Sequence, residues 1–223
     1  MTDRQGADSN QRAPMPCGMG GRLGPTGTGM TNGDLLLRRF EPRFARTVAS
    51  WVRDADELFN LTPTTPPPLT ARKVIEWSRA PGWAFLLHKR GADGPSGYGE
   101  LNPMRRNEEH LWIGHVVVDP AERGRGTGSA LVQKLANTGF SALAAERISL
   151  IVFPDNEAAV RCYVRAGFEP RGQEYHQFGP WRRRYRMLRF ELDRPRVADR
   201  LAVADAQGPR PIRQSLPQWR DSR

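Results

Sequence analysis

At 223 residues with 38 % apolar side chains, the chain can bury one ordinary core, and a mean hydropathy of −0.62 leaves part of it outside that core. Two cysteines, Cys17 and Cys162, and four scattered histidines exclude a disulfide framework and a metal-ligand motif, and no apolar run reaches membrane-spanning length. The formal charge of +10 divides into +1 before residue 34, +4 after residue 193 and +5 between, an excess matched by Arg182, Arg183, Arg184, Arg186 and Arg189, so it marks a solvated arginine-rich edge before it marks a nucleic-acid binder. With no signal-peptide apolar region either, a soluble, reduced, cytoplasmic protein with no membrane partner is expected, as a monomer or homodimer.

Residues 1–33 are rich in Gly, Pro, Asn, Ser and Thr without apolar period, and are expected to form a disordered tail. Gly24-Pro25-Thr26-Gly27-Thr28-Gly29 within it lacks the Lys-Ser/Thr ending, the strand and the helix that a phosphate loop needs. The expected globular domain is 34–193. Leu35, Leu36 and Leu37 begin a short strand. Phe44, Val48, Trp51, Val52, Ala55 and Leu58 fall near helical spacing, as one amphipathic helix. Pro63 and Pro66-Pro67-Pro68 stiffen the following loop, and Thr70 caps a second short helix carrying Val74, Ile75 and Trp77. These two helices read as a lid between the first two strands. Residues 83–88, 97–104 and 111–118 read as three strands, with a turn at 91–96 and a polar loop at 105–109.

Val116-Val117-Val118 then stops at Asp119-Pro120. Arg123-Gly124-Arg125-Gly126-Thr127-Gly128 follows, and after Ser129 helical spacing resumes with Leu131, Val132, Leu135 and Ala136. Strand, glycine turn and helix N-terminus make an anion site. The first N–H groups of a helix lack intrahelical partners, the dipole is positive there, and glycine lets the backbone come close. Two arginines add charge suited to phosphates. Residues 148–153 are a continuous β-rich run, as in a strand buried on both faces. Asn156 starts a helix with Ala159, Val160, Tyr163 and Val164 that ends at Gly167, a natural C′ glycine. Two strands close the domain, and residues 194–223 form a second expected disordered, basic tail. The fold class is α/β: a mixed sheet of six to seven strands with helices on both faces.

Two motifs resemble the GNAT superfamily of acetyl-CoA-dependent N-acetyltransferases across roughly residues 35–192. One is Arg123-Gly124-Arg125-Gly126-Thr127-Gly128 directly after a strand. The other is Asn156, Ala159, Tyr163, Gly167 and Phe168 at the family's spacing. The resemblance implies a cofactor held between two splayed strands. The main chain of Val116, Val117 and Val118 would pair with the pantetheine arm, and Arg123, Gly124, Arg125, Gly126, Thr127, Gly128 and Ser129 would form the pyrophosphate turn. Asn156 would hydrogen-bond the pantetheine from the other side, and Tyr163 would protonate the departing thiolate. Phenol and thiol ordinary pKa values lie close enough for that transfer. A main-chain N–H at the end of the valine strand would polarise the thioester carbonyl, a contribution of about 3 kcal/mol in comparable sites.

The base is less plain. Where relatives carry a glutamate on the strand before the turn, or on the strand after its helix, this chain has Trp112 and Ile151. Glu100 and His115 remain, acting through water; alternation puts His115 on the face opposite Trp112 and Gly114 unless a bulge intervenes. Both residues also suit a purely structural place in a strand, and Cys162 reads as a small packing residue. The expected partners are acetyl-CoA and a primary amine on a protein N-terminus, a lysine or a small molecule; Asp54, Asp56, Glu57, Trp51 and Trp77 on the lid suit a cationic small molecule and a solvated helix face equally. The competing reading is a GNAT-like scaffold whose arginine-rich end binds nucleic acid or acidic protein. The intact turn with Asn156 and Tyr163 weighs against it, because a scaffold needs neither.

Overall fold

The computed structural model describes residues 34–104, 107–178 and 183–195. The two tails expected to be disordered lie outside these residues, apart from 194–195. The elements run β1 (Leu35–Arg39), α1 (Ala45–Ser50), α2 (Ala55–Leu61), α3 (Ala71–Ser78), β2 (Trp83–Lys89), β3 (Pro95–Met104), β4 (Asn107–Val118), α4 (Thr127–Ala142), β5 (Arg147–Val152), α5 (Glu157–Arg165), β6 (Glu169–Phe178) and β7 (Arg183–Asp193). Seven strands form one mixed sheet in the order β1-β2-β3-β4-β5-β7-β6. Only β4 and β5 pair in parallel.

Alternation along each strand assigns the two faces. Leu101, Leu111, Ile113, Ile148, Leu150, Val152, Leu188 and Phe190 point to one core, closed by Leu131, Val132, Leu135 and Phe140 of α4 and by α5. Leu86, Tyr98 and Val117 point the other way, under Val48, Trp51 and Val74 of the lid. Helices therefore cover both faces, as the sequence pattern predicts. Arg194 fixes the end of β7 by donating through Nε to the Ala145 carbonyl at 2.9 Å. Among the described residues, no helix is long and apolar enough to cross a membrane.

The lid differs from expectation in one respect. The helix predicted over residues 44–58 is two helices, α1 and α2, broken at residues 51–54. Asp54 is extended at φ −147° and its side chain accepts from Glu57 N at 2.8 Å, while Glu57 reaches back to Arg53 N at 3.0 Å. This reciprocal capping satisfies helix-start donors. It outweighs the continuous apolar spacing across the break. The polar loop expected at 105–109 is also shorter, since β3 and β4 already pair at Met104 and Asn107.

Candidate active site

The site begins where the parallel ladder ends. β4 and β5 pair only through His110–Trp112 against Arg147–Ser149. His110 Nε2 and Ser149 Oγ, 2.9 Å apart, link the two strands there, and beyond this point the strands diverge. Burial lowers the His110 pKa, so the ring favours its neutral, hydrogen-bonding form. Between the diverging strands lies a cleft of about 800 Å³, lined by the ends of β4 and β5, the glycine turn, α5 and the C-terminal end of α2. Its size lies in the range of small-molecule sites.

One end of the cleft is the glycine turn. Gly124 has φ +75° and Gly126 φ +85°, with no atom within 4 Å of where a Cβ would stand. Left-handed backbone facing open space is glycine's role here, and Gly126 is also the N-cap of α4, without a side-chain capping bond. The first N–H groups of α4 are thus left for a ligand. Within this turn the side chains divide. Arg125 is exposed. Thr127 is 1 % exposed with its hydroxyl buried and unpartnered, and it lies outside the cleft lining. Ser129 Oγ donates to the Cys162 carbonyl at 3.2 Å, tying α4 to α5.

Arg123 lines the cleft, and its guanidinium has three partners within the chain. Its Nε donates to the Val118 carbonyl at 3.0 Å and its Nη2 to the Trp51 carbonyl at 2.7 Å, and its third nitrogen pairs with Glu57. It fastens the lid to the end of β4 and holds the turn in place.

The opposite wall carries a polar cluster set up by a bulge. Tyr98 pairs with Val117 and Glu100 with Gly114, so Gly99 stands against both His115 and Val116. His115 takes φ +48°. The bulge turns the imidazole onto the lid face, where it stacks on Trp77 of α3 with centroids 4.2 Å apart and planes 7° apart. Its Nδ1 lies 2.9 Å from Glu100 Oε2. Glu100 also accepts from the Tyr98 hydroxyl at 2.5 Å and from Asn102 Nδ2 at 3.4 Å. Burial first, then the Glu100 charge, pushes the Tyr98 phenol up, so it stays a neutral donor. Glu100 itself is 3 % exposed and lies behind His115, outside the cleft lining. Glu100, expected with His115 as a candidate base acting through water, stands behind His115 rather than on the cleft surface. His115 faces the cleft and Glu100 orients it.

α5 supplies the facing wall. Asn156 Oδ1 caps the helix by accepting from Ala159 N at 3.1 Å, which leaves Nδ2 free to donate into the cleft. At the far end Phe168 N donates to Tyr163 O and Gly167 N to Val164 O, both at 3.0 Å, with Gly167 at φ +95°. That is a Schellman closure, and it fixes the last turn that carries Tyr163. Tyr163 lines the cleft; burial, with Cys162 beside it, pushes its phenol up and keeps it protonated. Cys162 is also raised by burial and behaves as a packing thiol. Among the described residues, no group of three His, Cys, Asp or Glu side chains could hold a metal ion.

Residues 49–168 match the family model described as "Acetyltransferase (GNAT) family". The chain belongs to the GNAT acetyltransferase family. A spermidine N(1)-acetyltransferase of Escherichia coli is 28 % identical over 95 residues, 41 % of this chain and 49 % of that protein. An L-2,4-diaminobutyric acid acetyltransferase of Nocardia farcinica is 39 % identical over 70 residues, 30 % and 33 % of the two chains. The chain thus spans about half the length, or less, of these curated relatives. Among solved structures, the spermidine N-acetyltransferase of Vibrio cholerae in complex with CoA and spermine superposes with a TM-score of 0.60 at 18 % identity, covering 72 % of this chain and 96 % of that one. A GNAT-family acetyltransferase of Bacillus anthracis gives a TM-score of 0.60 at 21 % identity and covers 72 % and 95 %.

The GNAT fold accounts for the splay and the glycine turn. Trp77, expected as an apolar residue of the second lid helix, stacks on His115, and Asn102 lines the cleft. The period-two run Tyr98, Glu100, Asn102 was the available signal for that cluster. The scaffold alternative gains nothing from these relatives. Part of the arginine-rich edge is spent internally, with Arg189 paired to Glu174 and Arg184 lying over the Tyr175 ring at 5.1 Å.

Proposed function

We propose that the chain is an acetyl-CoA-dependent N-acetyltransferase, acting in the cytoplasm, that transfers the acetyl group to a primary amine attacking the thioester directly. The residues present fit such a donor: two left-handed glycines open to a ligand, an uncapped helix N-terminus and a length of β4 that β5 no longer covers. Acetyl-CoA supplies an activated acyl group. Backbone N–H groups of residues 124–129 hold its phosphates with Arg125 alongside, the main chain of Val116–Val118 lies along its arm, and Asn156 Nδ2 donates from α5.

The proton steps belong to two side chains on opposite walls. Nδ1–H of His115 donates to Glu100, so Nε2 carries the lone pair and takes the proton from the incoming amine. Glu100 stabilises the imidazolium that results. Tyr163, kept neutral by burial, holds a proton for the departing thiolate. The observation carrying this reading is that His115 and Tyr163 line one cleft whose end is the glycine turn. The kinship with enzymes named for acetylating spermidine and diaminobutyric acid supports it. Purified protein mixed with acetyl-CoA should release free thiol when primary amines are added. An amine panel that leaves thiol release at the background hydrolysis rate would overturn the proposal.

A further inference from the structure

The cleft has a second half, on the lid side of the splay, and its chemistry is unlike that of a site for a polycation. Its floor is Asn102, Trp112, Ile151 and Met187, all on the sheet face turned toward the lid. Its roof is Asn60, Leu61, Thr62, Pro63 and Thr64 at the end of α2, with Phe178 of β6 beside it. None of these side chains carries charge. Behind them the wall is aromatic: Phe59 stacks on Phe153 with centroids 5.3 Å apart, and Tyr185 lies 5.3 Å from Phe59 and 5.9 Å from Phe178.

The carboxylates on the cleft side of this chamber are already committed; Asp56 of α2 is exposed and lines a separate pocket with Pro63 and Thr64. Glu57 is the one acidic residue among the described residues that line the cleft, and it is held by Arg53 at 3.3 Å and by Arg123. Glu100 is bound by Tyr98, His115 and Asn102. Glu174, whose pKa is lowered by its bond to Arg189, also binds His176 at 2.9 Å. Glu191 faces Arg147 at 3.6 Å and Arg171 and Arg189 at 3.8 Å. Arg189 in turn sits over the Trp112 ring at 5.7 Å, placing positive charge beside the floor on the same sheet face. A substrate with several ammonium groups would lose water here and gain no free anion, a costly exchange. An apolar or aromatic body would gain area against Trp112, Met187 and Phe178.

Resting on the acetyl-transfer reading, we infer that the acceptor is a monoamine on an apolar, preferably aromatic, body, in contrast to the polyamine named for the spermidine-acetylating relatives. The amino group meets His115, and the body lies between the Trp112 floor and the α2 roof. No second cationic centre is accommodated.

The test compares kcat/KM for 2-phenylethylamine and spermidine with the full chain and saturating acetyl-CoA. Efficiency for 2-phenylethylamine should exceed that for spermidine by about tenfold or more, a modest share of what burying a phenyl ring can supply. The exposed variant Asn60→Asp, which adds a carboxylate to the roof, should narrow the gap by about 2–5-fold in favour of spermidine. Equal or better use of spermidine by the unaltered chain overturns this inference and leaves acetyl transfer standing. Absence of thiol release with both amines, and with L-2,4-diaminobutyrate as a third, defeats the acetyl-transfer reading itself.

Discussion

Replacing His115 tests the division of labour between His115 and Glu100. The residue sits at φ +48°, a backbone region that asparagine tolerates far better than alanine, so His115→Asn removes the imidazole while keeping the bulge. The loss comprises the proton acceptor at Nε2, the 2.9 Å contact to Glu100 and the stack on Trp77. Positioned acid–base groups typically contribute about 10²–10⁴-fold, and kcat should fall within that range. Glu100→Gln retains a hydrogen-bond acceptor but not the charge that stabilises imidazolium. The difference between a charged and a neutral bond is on the order of 1–2 kcal/mol, so kcat should fall about 5–30-fold. The assay is thiol release at saturating acetyl-CoA and amine, with calorimetric acetyl-CoA affinity and thermal melting as controls for folding. Both variants should bind acetyl-CoA normally. If Glu100→Gln slows turnover more than His115→Asn while both remain folded, Glu100 is itself the base and the orientation argument fails.

Tyr163→Phe should lower kcat by about 10–100-fold with acetyl-CoA affinity unchanged, as judged by stopped thiol-release assays and calorimetry; unaltered turnover would remove the phenol from the reaction. Gly126→Glu forces a side chain into φ +85° and sets a negative charge at the α4 N-terminus, so acetyl-CoA affinity should weaken about tenfold or more by titration. Wild-type affinity in that variant would disprove the phosphate assignment. Glu174 is depressed first by its bond to Arg189, so its contribution to stability is complete above the unfolded-state carboxylate pKa near 4.5 and is lost as pH falls through the folded value. Glu174→Gln should therefore show a flatter loss of stability below about pH 5 in urea titrations, and an unchanged acid limb would show the pair to be energetically idle.

Much of this architecture was legible because its signals are local. The glycine turn announces itself through φ requirements at Gly124 and Gly126, and the α5 cap and its Schellman closure follow from Asn156 and Gly167 at the two ends of an apolar period. The face of His115 was not legible. It depends on a two-against-one bulge opposite Gly99, a decision made by strand pairing across the sheet rather than by the residue itself. The partners of Arg123 were not legible for a similar reason: one of them, the Trp51 carbonyl, comes from 72 residues away. The break at Asp54 could have been read from the Asp54–Glu57 capping pair, which the apolar spacing across it concealed. The acceptor chamber is harder still, since it joins α2, β3, β4, β5, β6 and β7, and no sequence window contains it.

The central claim is acetyl transfer from acetyl-CoA to an amine, and mass spectrometry of the reaction mixture tests it most directly. The account predicts an amine carrying one added acetyl group on nitrogen, formed in step with an equal amount of free coenzyme A thiol and lost together in the His115→Asn variant. Thiol release without an acetylated amine, or an unmodified mixture across the amine panel, would contradict it.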